Sequence, residues 1–206
     1  MRELEHHVWI LESLHAPPDS VLVLHGGGVY GDKKEAMKRL VERLKGLEEK
    51  IKKRIVLEND EKCYSPEDLL PICEEVNIPL VYDVLHDHVY RHIHKSDEKE
   101  ISDDTLRKII NTWKRRGLRP KCHLSESDKS DKRNTNNSKS SNKTITGKHS
   151  MFINDIPKEI RKLCCFSNVG IDVMIEAKGK EEAIFRLYEK FPQLKAPCLN
   201  SDQIKE

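Results

Sequence analysis

The chain has 206 residues and a formal net charge of +2, with 35% charged and 36% apolar residues. That balance fits one sizeable globular domain and is too close to neutral to argue by itself for a nucleic-acid partner. Six cysteines without a CxxC pair speak against a thiolate zinc site, and no apolar run approaches the roughly 20 residues of a transmembrane helix.

With no signal peptide visible, reduced thiols in an intracellular compartment are expected, the nucleus for a eukaryotic source and the cytoplasm for a prokaryotic one. A first helix is predicted over Glu3–Leu14, where Val8, Leu11 and Leu14 recur at helical spacing and Pro17 and Pro18 end the run. A strand follows at Ser20–His25, then a glycine-rich loop through Gly28 to Asp32. The next helix carries Met37, Leu40, Val41, Leu44, Leu47 and Ile51 on one face and leads into a strand at Arg54–Leu57.

Ser65-Pro66-Glu67-Asp68 is a helix start with a cap, a proline in the first turn and a capping box. That helix runs to about Asn77, and a third strand covers Ile78–Tyr82. The histidine-rich stretch beyond it is read as a loop. Ser102 caps a helix whose buried face is Leu106, Ile109, Ile110 and Trp113, with Gly117 as its left-handed stop. A fourth strand is predicted at Arg119–Leu124.

Residues 126–148 then turn almost wholly polar, with six basic against three acidic residues. They read as a disordered insertion, a flexible surface loop in preference to a DNA-tracking one. A fifth strand at Asp172–Ala177 and a helix at Lys180–Lys190 complete a unit over residues 1–190, and 191–206 read as a loose tail.

Five of these segments place a metal-capable residue just after a short apolar run: His25, Glu58, Asp83 with His86, His123, and Glu176. Ligands at the C-terminal ends of successive parallel strands are how a (β/α) barrel builds its site. The strand count falls short of a closed barrel, so the expectation is part of a barrel or an open α/β sheet. A lone strand-end histidine is more often structural, but in company with the other four sites His25 is read as a ligand, and Glu58 needs either a metal or a basic partner to be buried. His92 and His94 are read as surface residues, while His88 is open. Lys121 shares a strand face with His123 and needs a carboxylate, a metal-bridging modification or a lowered pKa. Lys178 shares a face with Glu176 and can contact phosphate. Mixed imidazole and carboxylate ligands suit Mn2+ or Zn2+ better than Mg2+, and the chemistry suits metal-assisted hydrolysis. A barrel holding a sugar or acid on a single metal is the plainer alternative.

HGGGVYGDK (His25–Lys33), RIVLENDE (Arg54–Glu61), the D-x-x-H of Asp83 and His86, PKCHLS (Pro120–Ser125) and VMIEAKGKEEAIFRLY (Val173–Tyr188) together resemble the UV damage endonuclease family. The resemblance covers residues 1–190 and implies a partial TIM barrel of about five β/α units, matching the C-terminal strands of that fold. It implies an endonuclease that nicks double-stranded DNA immediately 5′ to UV photoproducts, with a manganese-type metal cluster. Carried over by motif, His25, Glu58, Asp83, His86, His123 and Glu176 become metal ligands. Lys121 becomes the lysine beside the cluster, His149 a further active-site residue, and Tyr30 and Lys33 neighbours of the DNA backbone. Family members carry about three further strands before the HGGG segment, with additional metal histidines and the side chains that probe damaged bases. Those strands have no counterpart here, so open edges are expected at Ser20–His25 and Asp172–Ala177. His6 and His7 fall on a predicted helix and are poor substitutes. A non-catalytic remnant that binds metal or damaged DNA, and a sugar isomerase-like barrel, are the rival readings.

Overall fold

The computed structural model describes residues 2–97, 99–128 and 145–195. The helices are α1 (Arg2–Ser13), α2 (Lys33–Lys45), α3 (Glu49–Lys52), α4 (Pro66–Val76), α5 (Val84–Ile93), α6 (Asp103–Lys114), α7 (Lys158–Phe166) and α8 (Lys180–Lys190). The strands are β1 (Leu22–His25), β2 (Ile55–Glu58), β3 (Leu80–Asp83), β4 (Lys121–Leu124) and β5 (Asp172–Ile175). They form one sheet in the order β1-β2-β3-β4-β5, with every neighbouring pair parallel. A doubly wound sheet reverses direction at a switch point. This one never does, so right-handed crossovers keep its helices on one side, and the sheet is an arc of a (β/α) barrel. Among the described residues, β1 and β5 each pair along one edge alone.

The two faces of the arc divide by the period of two that a strand imposes. Ile55, Leu57, Leu80, Tyr82, Cys122 and Leu124 turn outward into the main core. There they meet Leu44 of α2, Leu69 of α4, Leu106 and Ile110 of α6, Leu163 of α7 and Leu187 of α8. Val21, Val23, Val56, Val81 and Met174 form a smaller cluster from the alternate strand positions. Trp113 joins it from α6, its Nε1–H donating to the Leu80 carbonyl at 2.7 Å. That inward face continues into His25, Glu58, Asp83 and His123 at the strand ends.

Local chemistry sets most boundaries as the sequence predicts. Ser65 and Asp68 close a capping box on α4, with Pro66 in its first turn, and Asn77 ends the helix in the left-handed region at φ 54°. Ser102 caps α6 by accepting from Thr105 N–H at 3.1 Å. Three segments differ from expectation. The single helix expected through Ile51 breaks at Gly46 into α2 and α3, because glycine is a poor helix former; Leu44, Leu47 and Ile51 stay buried across the break. The histidine-rich stretch taken for a loop is α5, capped by Asp83 and anchored by buried Val84, Leu85 and Val89. The helix α7 was not expected, and its Ile160 and Leu163 close the core beside α6.

Buried Asp87 ties α5 down, accepting from Tyr82 Oη and Arg91 Nε, both at 2.9 Å, while Arg91 reaches Glu67 of α4 at 2.7 Å. At the far end, Phe191 packs against the core and a 3-10 turn spans Pro192–Leu194. These residues begin the stretch expected as a loose tail, of which 196–206 lie outside the described residues.

Removing packed volume should cost more than removing a cap. Leu106→Ala is expected to lower the unfolding free energy by about 2–5 kcal/mol and Ser65→Ala by about 1 kcal/mol, read from urea denaturation. Equal losses would mean that α6 does not carry the core as described.

Candidate metal centre

Four strand ends and the turn after β5 converge on one mouth. Parallel pairing sets His25 beside Glu58 and Asp83 beside His123, while Glu58 stands opposite Val81 and His123 opposite Met174, so the ligand-type residues advance in two-residue steps across the sheet. Glu58 is 4% exposed. Its Oε1 lies 2.7 Å from His123 Nδ1 and 3.7 Å from His86 Nδ1, and its Oε2 lies 3.6 Å from His25 Nε2. Glu176 Oε1 is 3.3 Å from His123 Nδ1, and Glu176 Oε2 is 3.6 Å from His149 Nε2. The rings of His25 and His149 stand 5.5 and 6.4 Å from that of His86.

His149 reaches this place through backbone pairing. Ser127 and His149 form an antiparallel bridge, Ser150 N–H donates to Glu126 O at 2.8 Å, and Lys178 N–H donates to Ser150 O at 2.9 Å. The chain that returns from the polar stretch is thus held between the exits of β4 and β5. Asp128 N–H also donates to Lys148 O at 2.7 Å. The two ends of the expected disordered insertion are therefore paired at the rim, and residues 129–144 lie outside the described residues.

The donor set fits divalent metal. Two groups have ligand atoms within 4.8 Å of one another: His25, Glu58 and His86, and Glu58, Asp83 and His123. Glu58 belongs to both. Two buried side-chain atoms at the mouth have no hydrogen-bond partner, Asp83 Oδ2 and Ser125 Oγ. An unpartnered buried carboxylate oxygen is costly, and a cation would satisfy it. The ion-pair partners of Glu58 and Glu176 among the described residues are histidines, which leaves several carboxylates with no lysine or arginine to balance them.

The other expected site residues lie outside this cluster, although Lys178 lines the cavity shared by His149 and Glu176. Lys121 starts β4, and its Nζ is taken by Asp172 at 2.7 Å and Asp19 at 3.5 Å. Of the three options open to a lysine on that face, the structure shows a carboxylate partner and places the ammonium away from the cluster. Lys33 is bonded to Asp68 and to Tyr90 Oη. Lys178 pairs with Asp128 at 2.8 Å, and Tyr30 is 87% exposed. His88 pairs with Glu159 of α7 at 3.5 Å, and His94 contacts the Lys62 carbonyl at 2.9 Å. His6 and His7 are exposed on α1. Sequence reasoning missed Asn59. It is fully buried beside Glu58, and a polar residue directly after an apolar strand was its only signal.

A (β/α) barrel arc with histidines and carboxylates gathered at the C-terminal ends of its strands defines the class of this protein. The family model described as UV-endonuclease UvdE matches residues 1–201, and the chain belongs to that family. It is 34% identical over 191 residues to a putative UV-damage endonuclease of Acanthamoeba polyphaga mimivirus, covering 92% of this chain and 52% of that protein. It is 35% identical over 197 residues to the UV DNA damage endonuclease of Bacillus velezensis, covering 95% and 56%. It is 33% identical to the UV-damage endonuclease of Schizosaccharomyces pombe, covering 96% and 31%. The crystal structure of SacUVDE superposes with a TM-score of 0.70 at 28% identity, over 93% of this chain and 57% of that one. The chain spans about half the length of the first two of these relatives.

Charge at the mouth makes stability depend on pH. Burial pushes the His86 imidazole down, but Asp83, the Asn59 carbonyl, Glu58 and Glu61 together raise it. Burial likewise opposes His123, and its hydrogen bond to Glu58 with the charges of Glu58, Glu176 and Asp83 prevails, again raising it. Burial also pushes the Asp83 carboxyl up, with Glu58 adding to it against the opposing His86 and His123. A group whose folded pKa is raised binds its proton more tightly when folded. The stabilisation from the two histidines is therefore full below about pH 6.5 and is lost as pH climbs through their raised values. Metal-free protein in chelator should lose Tm from mildly acidic to mildly alkaline pH, and His123→Gln should flatten that slope. A slope unchanged in His123→Gln would show that His123 does not bind its proton as described.

Proposed function

We propose that this chain carries the catalytic mouth of a DNA repair endonuclease that nicks double-stranded DNA immediately 5′ to UV photoproducts by metal-assisted phosphodiester hydrolysis. The observation that carries this reading is Glu58, one carboxylate common to two ligand groups built from four neighbouring strands and the first turn of α5. Membership of the UV-endonuclease family supplies the substrate class.

In this reading Glu58 spans the two groups, His25 and His86 complete one, and Asp83 and His123 complete the other. Mixed imidazole and carboxylate donors favour Mn2+, with Zn2+ and Mg2+ as alternatives. Ions bound there would supply Lewis acidity toward the phosphoryl oxygens and a water of lowered pKa. Glu176 Oε2 faces Nε2 of His149, so the half-buried ring at the rim would exchange a proton with the attacking or leaving oxygen through its other nitrogen, Nδ1. Buried Val56 and Val81, with partly buried Met174 against them, make an apolar floor beneath the mouth, and a less polar surrounding strengthens the electrostatic contacts above it.

Toward DNA, exposed Tyr30 offers a ring to the backbone or to a base. Lys178 is also available, because its exposed pair with Asp128 is worth little and phosphate competes with it. Lys33 is held by Asp68 and Tyr90 and serves to position the loop that carries Tyr30. No helix among the described residues is long and apolar enough to cross a membrane.

Nicking of UV-irradiated supercoiled plasmid with added Mn2+ tests the proposal. Glu58→Gln keeps the side-chain shape, so the circular dichroism spectrum should persist while nicking falls by more than the roughly 100-fold that loss of a supporting group costs. Nicking retained in that variant, or equal on unirradiated plasmid, would overturn the assignment. Damage-selective binding without nicking in the wild-type chain would favour a non-catalytic role.

A further inference from the structure

Asn59 is the residue after β2, and its carboxamide stands in for a peptide group of the sheet. Oδ1 accepts Asp83 N–H at 2.9 Å and Nδ2 donates to the Asp83 carbonyl at 3.0 Å. The β2–β3 register itself reaches only Glu58 opposite Val81, so this side chain fixes the end of β3 where the ladder has stopped. The main-chain carbonyl of Asn59 meets Nδ1 of His86 at 3.1 Å. A carbonyl only accepts, so Nδ1 carries the hydrogen and Nε2 of the neutral ring keeps its lone pair. Asp83 in turn has Oδ1 occupied by His86 N–H at 2.7 Å, which leaves the buried Oδ2 without a partner.

We propose that Asn59 is a positioning residue of the metal centre: through one side chain and one carbonyl it presents Asp83 Oδ2 to one ligand group and His86 Nε2 to the other. This inference rests on the metal reading above. Partners that orient ligands in this way typically contribute about 10- to 100-fold to metal affinity. Thr112 provides a matched comparison. It too ties its side chain to the backbone of β3, with Oγ1 accepting Leu80 N–H at 3.0 Å and donating to Ile109 O at 2.7 Å. It does so at the opposite end of the strand, away from every ligand.

The test compares wild type, Asn59→Ala and Thr112→Val. Mn2+ affinity is read by the paramagnetic resonance signal of the free ion, the Co2+-loaded protein by its visible absorption, and the metal-free protein by its Tm. Both variants should lose Tm. Only Asn59→Ala should bind Mn2+ about 10- to 100-fold more weakly and shift the Co2+ bands. Wild-type affinity in Asn59→Ala, or an equal loss of affinity in Thr112→Val, would overturn the inference while leaving the metal reading intact. Failure of the wild-type chain to bind any of these ions would overturn both. Should Asn59→Ala not fold, nitrogen-15 spectra of the histidine rings in the wild-type protein decide: a His86 protonated at Nδ1 supports the role, and one protonated at Nε2 overturns it.

Discussion

A carboxylate buried at the end of an apolar strand has to be partnered, and Glu58 is where that requirement is most acute. Ile55, Val56 and Leu57 draw β2 into the core, and their burial carries Glu58 out of water with them. Histidines from β1, from β4 and from the first turn of α5 meet it there. Those three elements all approach one side chain: the parallel register sets His25 opposite Glu58, and β3 and β4 run past Val81 to bring Asp83 and His123 to the same mouth.

Consecutive strand order carries the same constraint outward. With no switch point, each helix packs behind the strand it follows, and the inward face is left free to hold one layer of valines below one layer of ligands. The outward face takes the larger side chains, which need the depth of the helical layer. Around this frame the polar stretch is tied in at both ends by main-chain bonds between 126–128 and 148–150. That attachment carries His149 to the rim, so an insertion that looks peripheral in composition delivers a site residue.

The centre is also supported from behind. Asp83 is at once the last residue of β3, the cap of α5 and a candidate ligand with one oxygen to spare. Tyr82 and Asp87 on either side of it bond to each other, and Arg91 ties them to α4. A helix that begins immediately at a strand end has no slack, which is why α5 can hold His86 in place and why a reading of the same residues as a loop misses it.

Much of this was legible in the chain itself. Apolar runs ending in His25, Glu58, Asp83, His123 and Glu176 state the strands and the candidate ligands together, since a period of two and a burial requirement act locally. Ser65, Pro66, Asn77 and Ser102 likewise mark helix ends by chemistry that operates within one turn. Lys121 was not legible, because whether a lysine on the ligand face points up to the cluster or down to Asp19 and Asp172 depends on carboxylates brought in from distant segments. Nor was Asn59, whose role exists only once β3 lies beside it and Asp83 needs its peptide groups paired. Local patterning thus determined the elements and the candidate ligands, while the tertiary structure alone decided which polar groups share a buried space and which, like Lys121 with Asp172, are ordinary ion pairs.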